Sequence, residues 1–230
     1  MQDCIYKQYD VFIDSGAFSA ENSGKVIDID DYCKYILETE AVLYAGLDVI
    51  GNAKKTRENT EYMIKQYGLK PIPTFHMGSD LSDLEALMGY PYIALGGMVF
   101  GTNLQGRCDA VWAYILKNNP QIRVHGFGLT NIELMERYPW YSVDSSSFKS
   151  CKRYGRQNIL WNGFNFKTFS EEEYKTMLLQ QGYTDLEDNK QKWFLYDFLS
   201  CQSYKLYGSH LLAVNKIKDF SYLTAQQQLF

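Results

Sequence analysis

The chain has 230 residues, 46% of them hydrophobic and 22% charged, with a formal net charge of −4. That length suits one domain burying roughly 70–75% of its unfolded surface, and the composition excludes an intrinsically disordered chain. The longest apolar runs, such as Tyr92 to Leu95, are far short of the ~20 residues of a membrane-spanning helix, and the acidic balance argues against broad non-specific attraction to nucleic acid.

The predicted elements alternate along the first two thirds. Tyr9-Asp10-Val11-Phe12-Ile13 is a short apolar run closed by Ser15-Gly16, which predicts a strand. Ile29, Tyr32, Tyr35, Ile36 and Leu37 fall at helical spacing within Asp28 to Glu40. Ala41 to Val49 reads as strand, and Ala53 to Tyr67 as a helix ended by Gly68. Strands follow at Pro71 to His76, Tyr92 to Gly97, Ile122 to Phe127 and Tyr141 to Asp144. Helices are expected between them at Leu81 to Met88, Ala110 to Lys117 and Ile132 to Arg137. Asn158 to Trp161 is a candidate seventh strand. Beyond Ser170 the pattern is helical only, rich in Tyr, Leu and Gln, with a polar tail.

Apolar strands alternating with amphipathic helices predict parallel pairing with helices outside. No GxGxxG follows the first strand and no Walker pattern appears, so nothing favours an open doubly wound sheet. Polar residues recur instead at strand C-terminal ends: Asp14-Ser15, Asp48, His76, Gly96-Gly97, His125 and Asp144-Ser145. In a TIM-type (β/α)8 barrel those ends converge on one mouth. The expected architecture is therefore an α/β barrel over residues 1–169, with residues 170–230 as a C-terminal helical extension packed on it.

Each strand-end residue admits two readings. Asp14 and Asp48 are either turn-capping carboxylates or members of a site, and the serines after Asp144 either cap the next element or flank the chemistry. Three carboxylates sharing a low-dielectric mouth would repel one another, an expense that makes sense if they divide into nucleophile, proton-transfer group and ligand-reading group. Gly96-Gly97 either makes a tight turn or lets a ligand approach exposed backbone amides. His76 and His125 are candidate pocket walls. Lys149, Lys152, Arg153 and Arg156 lie in Lys149 to Gln157, either a solvated basic turn or a phosphate grip beside Asp144. The 19 tyrosines and four tryptophans offer base-stacking surfaces as well as core. The five cysteines (Cys4, Cys33, Cys108, Cys151, Cys201) form no CxxC pair and no Cys/His metal spacing. They predict reduced thiols in a cytoplasmic protein, with no metal or cofactor; no basic-then-apolar leader follows Met1.

The ordered series Asp14-Ser15-Gly16-Ala17-Phe18, Gly46-Leu47-Asp48, Phe75-His76-Met77-Gly78, Gly96-Gly97-Met98, His125-Gly126-Phe127-Gly128 and Asp144-Ser145-Ser146 resembles the tRNA-guanine transglycosylase superfamily. It is most similar to the DpdA-type branch, phage and bacterial enzymes that exchange guanine in DNA for a 7-deazaguanine. The similarity spans about residues 9–150. It implies Asp144 as the nucleophile that displaces guanine and forms a covalent aspartyl–sugar intermediate. It implies Asp14 as a base-reading and proton-shuttling group, with Ser15 beside it. Asp48 would accept hydrogen bonds from the donor edge of the base, and Gly96 and Gly97 would offer amides to its carbonyl. His76 and His125 fall at pocket-lining positions. The implied partners are DNA and a free 7-deazaguanine, with no cofactor. The Cys/His zinc motif of the tRNA enzymes has no counterpart here, which sets tRNA behind DNA as substrate. The family's Asp-Ser-Gly motif sits on the second barrel strand, so a first strand is expected from the segment His210 to Ile217 or from a partner chain in a homo- or hetero-oligomer. A degenerate nucleobase-binding subunit is the non-catalytic alternative.

Overall fold

Six short strands run parallel in chain order: β1 (Phe12–Ile13), β2 (Leu43–Tyr44), β3 (Thr74–His76), β4 (Tyr92–Gly96), β5 (Arg123–Gly126) and β6 (Ser142–Val143). β1 pairs with β2, and β3 to β6 form a four-stranded sheet. The two sets are joined through Ile72, whose N–H donates to the Tyr44 carbonyl and whose carbonyl accepts from the Gly46 N–H, both at 2.9 Å. The structure is a computed structural model that describes residues 11–98, 103–129, 131–146, 158–161, 163, 166–183 and 189–225.

Helices α1 (Ala17–Asn22), α2 (Ile29–Glu38), α3 (Ala53–Tyr67), α4 (Leu81–Glu85) and α5 (Leu104–Asn118) punctuate these strands. Local chemistry starts them: Asp28 accepts from the N–H groups of Asp30 and Asp31, and Asn52 and Asp80 cap α3 and α4 in the same way. Gly68, at φ 63°, ends α3 in the left-handed conformation that glycine adopts without penalty. The amphipathic face of α2 buries Tyr32, Cys33 and Ile36 against Tyr44, Leu47, Met63 and Leu69. This cluster packs the helical layer onto the outer face of the sheet.

The sheet is strongly curled. Strands spaced ~4.8 Å apart would leave β1 about 19 Å from β5 if the sheet were flat. The Phe12 ring of β1 nevertheless stacks on His125 of β5, with centroids 4.6 Å apart and planes at 15°. Register explains the inner surface: Thr74, Ala94, His125 and Ser142 are successive partners across β3 to β6 and share one face. Phe12, Leu43 and Phe127 pack with Ile72, Tyr92 and Ala94 inside the curve. On the opposite face Trp140 lies against Gly126 and meets Trp112 of α5 edge-on.

The chain forms two compact units. The first comprises the described residues up to Leu129, Trp140–Asp144 and α9 (Ser221–Ala225), which packs on α5. The second comprises the described residues of 131–139 and 145–219, with α6 (Ile132–Arg137), a hairpin of β7 (Asn158–Trp161) and β8 (Phe166–Phe169), α7 (Glu171–Gln180) and α8 (Asn189–Asn215). Within it Tyr174, Leu178 and Tyr196 form a buried cluster, and Ser170 with Glu173 closes a reciprocal capping box at the start of α7.

Two sequence expectations are corrected here. Asn158–Trp161 is a strand, but it pairs antiparallel with Phe166–Phe169 rather than joining the parallel sheet. The connection between them, 162–165, is too short for the crossover that a parallel strand needs, which takes a dozen or more residues. His210 to Asn215, part of the candidate first strand, lies in α8, where residues from Asn189 onward are continuously helical. The parallel arrangement, and the presence of helices without strands among the described residues after Ser170, agree with the sequence reading. The helix Ala17–Asn22 was not anticipated, because its six residues carry little apolar periodicity. No helix among the described residues is long and apolar enough to cross a membrane.

Gly46 tests the packing of α3 on the strand ends. A Cβ there would lie 2.6 Å from Thr60 Oγ1, and that hydroxyl is already held by donating to the Thr56 carbonyl at 3.0 Å. Gly46→Ala should destabilise the fold by about 1–3 kcal/mol in urea unfolding, and adding Thr60→Ala should recover part of the loss. Equal costs in the single and double variants would refute the clash.

Candidate active site

The extended segment after β2 is locked from the side by α3. Asn59 donates to the Leu47 carbonyl at 3.0 Å, and Thr56 Oγ1 accepts from the Val49 N–H at 2.9 Å. These bonds bring Asp48 to the strand end with a fixed orientation. Its Oδ1 accepts from Thr56 Oγ1 at 2.7 Å and lies 2.6 Å from His76 Nε2, at the end of β3. Asp48 and His76 side chains are only 13% and 14% exposed. Burial alone would push the Asp48 carboxyl up, but the His76 hydrogen bond and charge, with Thr56 and the Val49 amide, hold it below the usual carboxylate range. A depressed folded-state pKa supplies stability that is present above the unfolded value and lost as pH falls through the folded one. Asp48→Asn should therefore cost on the order of 1–3 kcal/mol at pH 7, the gap from the parent closing as pH drops below about 4. Urea midpoints across that range check it; a gap constant with pH would refute the ionic contribution.

Beside this pair opens a cavity of about 560 Å³ lined by Asp48, Gly51, His76, Gly78, Gly97 and Arg107, among others. Ligand pockets typically fall between about 300 and 1,000 Å³. The two glycines have structural work to do at its edge. A methyl on Gly96 would meet Thr74 Cγ2 at 3.1 Å and Asp48 Oδ2 at 3.9 Å, and Gly97 takes φ 77° where the chain turns. The Gly96 carbonyl is occupied, accepting from the Met77 N–H at 2.9 Å.

Asp14 leaves β1 at the turn into α1, next to the buried Ser15 and to Gly16 at φ 72°. Asp14 as a residue is exposed, but the protein packed around its carboxyl raises the pKa by withdrawing it from water, and the charges of Asp144 and Asp48 raise it further, against the Ser15 and Gly16 amides that lower it. Asp14 thus feels the charges of both other strand-end carboxylates. Asp144 follows β6, with half of its side chain exposed. Its Oδ1 accepts from the Gly128 N–H at 2.8 Å and faces His125 Nε2 at 3.6 Å.

Every described candidate therefore sits at or near the C-terminal ends of the parallel strands. Asp48, His76 and Gly97 line the cavity; Asp14, Ser15, Gly96, His125 and Asp144 are not part of its lining. Lys149, Lys152, Arg153 and Arg156 lie outside the described residues. Among the described residues no group of three or more His, Cys, Asp or Glu side chains is placed to hold a metal ion. Sequence reasoning missed Thr56, Tyr92, Arg107 and Ser142. Thr56 carried a signal: with Asn59, Thr60 and Met63 it forms a buried and mostly polar stripe at helical spacing, unusual for the inner face of a helix. No family model, curated protein or solved structure matches the chain.

Proposed function

We propose that this chain is a base-exchange transglycosylase that replaces guanine in DNA with a 7-deazaguanine through a covalent aspartyl–sugar intermediate. One observation carries the reading: Asp14, Asp48 and Asp144 follow the same ends of three parallel strands, and Asp48 among them lines a cavity of about 560 Å³. The same reading takes the six strands as part of a (β/α)8 barrel wall, in which such ends form the mouth. The contact of Phe12 with His125 across the curve supports it.

The chemistry follows from the roles. A carboxylate oxygen of Asp144 attacks the anomeric carbon; the C1′–N9 bond breaks and its electron pair stays on guanine N9, as in the first half of a retaining glycosidase reaction. Asp14 is the proton carrier. Burial and its two acidic neighbours favour its protonated form, so it can protonate the departing N9. The incoming base returns that proton to Asp14 as its N9 attacks C1′ and releases the Asp144 carboxylate, leaving the enzyme unchanged. Asp48, immobilised by His76 and Thr56, keeps Oδ2 for the donor edge of the base. A base in a duplex would first be flipped out, at a cost of a few kcal/mol.

Labelled 7-deazaguanine offered with duplex DNA, single-stranded DNA and tRNA tests this. Label is expected in DNA. Label in tRNA alone would reassign the polymer, and none in any of the three would overturn base exchange.

A further inference from the structure

The inner surface of the sheet holds a polar chain that the proposed reaction does not yet use. The Tyr92 hydroxyl of β4 lies 2.5 Å from Ser142 Oγ of β6. Ser142 Oγ lies 2.7 Å from His125 Nδ1 on β5 between them. His125 is nearly sealed, with its side chain 4% exposed. Phe12 stacks on one face of the ring, and Phe127 meets it edge-on with centroids 4.7 Å apart. A polar ring buried among aromatics is costly unless its nitrogens are satisfied. Nδ1 is satisfied by Ser142; Nε2 makes no hydrogen bond among the described residues and lies 3.6 Å from Asp144 Oδ1.

We infer that His125 is a positioning residue for Asp144, held by Tyr92 and Ser142 in the tautomer that carries its proton on Nε2. The inference rests on the proposed function above for the role of Asp144. Its logic is a matter of donors and acceptors. A lone pair on Nε2 facing a carboxylate oxygen is repulsive, whereas Nε2–H is attractive. The Nε2–H tautomer leaves Nδ1 as an acceptor, so Ser142 must donate to it. Ser142 Oγ then accepts from the Tyr92 hydroxyl. Every proton in the chain therefore points toward Asp144.

The consequence is a division of labour within one carboxylate. Oδ1 is held by the Gly128 amide and faced by His125 Nε2–H, while Oδ2 has no hydrogen-bond partner among the described residues. Oδ2 is thereby the attacking oxygen. Oδ1, which becomes the ester carbonyl oxygen in the intermediate, stays fixed. The 3.6 Å gap is longer than a hydrogen bond, and the half-exposed Asp144 side chain can shorten it when substrate presses on the carboxylate. Strand register supplies the rigidity, since His125 and Ser142 are direct partners across β5 and β6.

Ser142→Ala removes the donor to Nδ1 without emptying the core. In exchange assays its kcat should fall roughly 10–100-fold with KM changed less than about twofold, the signature of a misplaced nucleophile rather than a lost binding contact. Ser142→Thr, which restores the hydroxyl, should recover most of the rate. The independent readout is ¹⁵N NMR of the three histidines, assigned with His76→Gln and His210→Gln variants. Wild-type protein should show His125 protonated at Nε2, and Ser142→Ala should lose that fixed tautomer. A proton on Nδ1 in the wild type, or a Ser142→Ala enzyme with unchanged kcat and unchanged tautomer, would overturn the inference. Should the wild type exchange no base at all, the proposed function fails, and the tautomer measurement still decides the positioning claim.

Discussion

Asp144→Ala is expected to abolish base exchange, with kcat/KM falling by at least about 10⁴-fold. The size of the loss follows from the role: without a carboxylate at this strand end, no atom can take the sugar while guanine departs, and the two-step route is closed. The fold should be nearly indifferent. The Asp144 side chain is half exposed and its described hydrogen bond is one to the Gly128 amide, so the thermal midpoint should move by only about 2–4 °C. Stopped reactions add a direct check. Wild-type protein mixed with DNA and no incoming base should yield a covalent protein–DNA adduct by denaturing electrophoresis, and the variant should not. Exchange at the parental rate in Asp144→Ala would end the assignment of the nucleophile.

Asp14→Asn should move activity and stability in opposite directions. Exchange should drop about 10²–10⁴-fold, because an amide cannot carry the proton between departing and incoming bases. Stability at neutral pH should rise. Burial and the charges of Asp144 and Asp48 lift the Asp14 pKa in the folded protein, so its favourable contribution is complete below the unfolded value and is lost as pH rises through the folded one. Replacing it with a neutral amide removes that loss. The variant should thus gain thermal stability at pH 7 and gain none below about pH 4, where the parent carboxyl is protonated in both states. A variant less stable than the parent at pH 7 would contradict the electrostatic account. Asp48 behaves in the opposite sense, since His76 and Thr56 hold its ionised form. Two aspartates at neighbouring strand ends thus differ in sign by their partners alone.

Apart from the helix Ala17–Asn22, the described strands and helices of residues 11–144 were legible because local periodicity reports which face a residue buries. Ala53–Tyr67 was read to the residue, because Asn52 and Gly68 mark its ends by backbone chemistry that needs no neighbours. Strand β7 was legible as a strand but not in its direction of pairing, which depends on the length of one connection. The segment His210 to Ile217 misled because its apolar residues suit a strand or a buried helix equally.

The site divides along the same line. Sequence alone determined which residue types occupy the strand ends, since Asp14, Asp48, His76 and Asp144 each follow an apolar run. Their partnerships were decided by tertiary structure. Asp48 and His76 are 28 positions apart, Tyr92 and Ser142 50 apart, yet each pair lies within hydrogen-bond distance. Register and curl set those contacts: pairing fixes which residues stand side by side, and curvature brings β1 to face β5. Neither is encoded in a window of neighbouring residues, because both arise from non-local hydrogen bonds and packing. The chemistry was written along the chain, and its geometry exists only once the strands have curled to bring Phe12 onto His125.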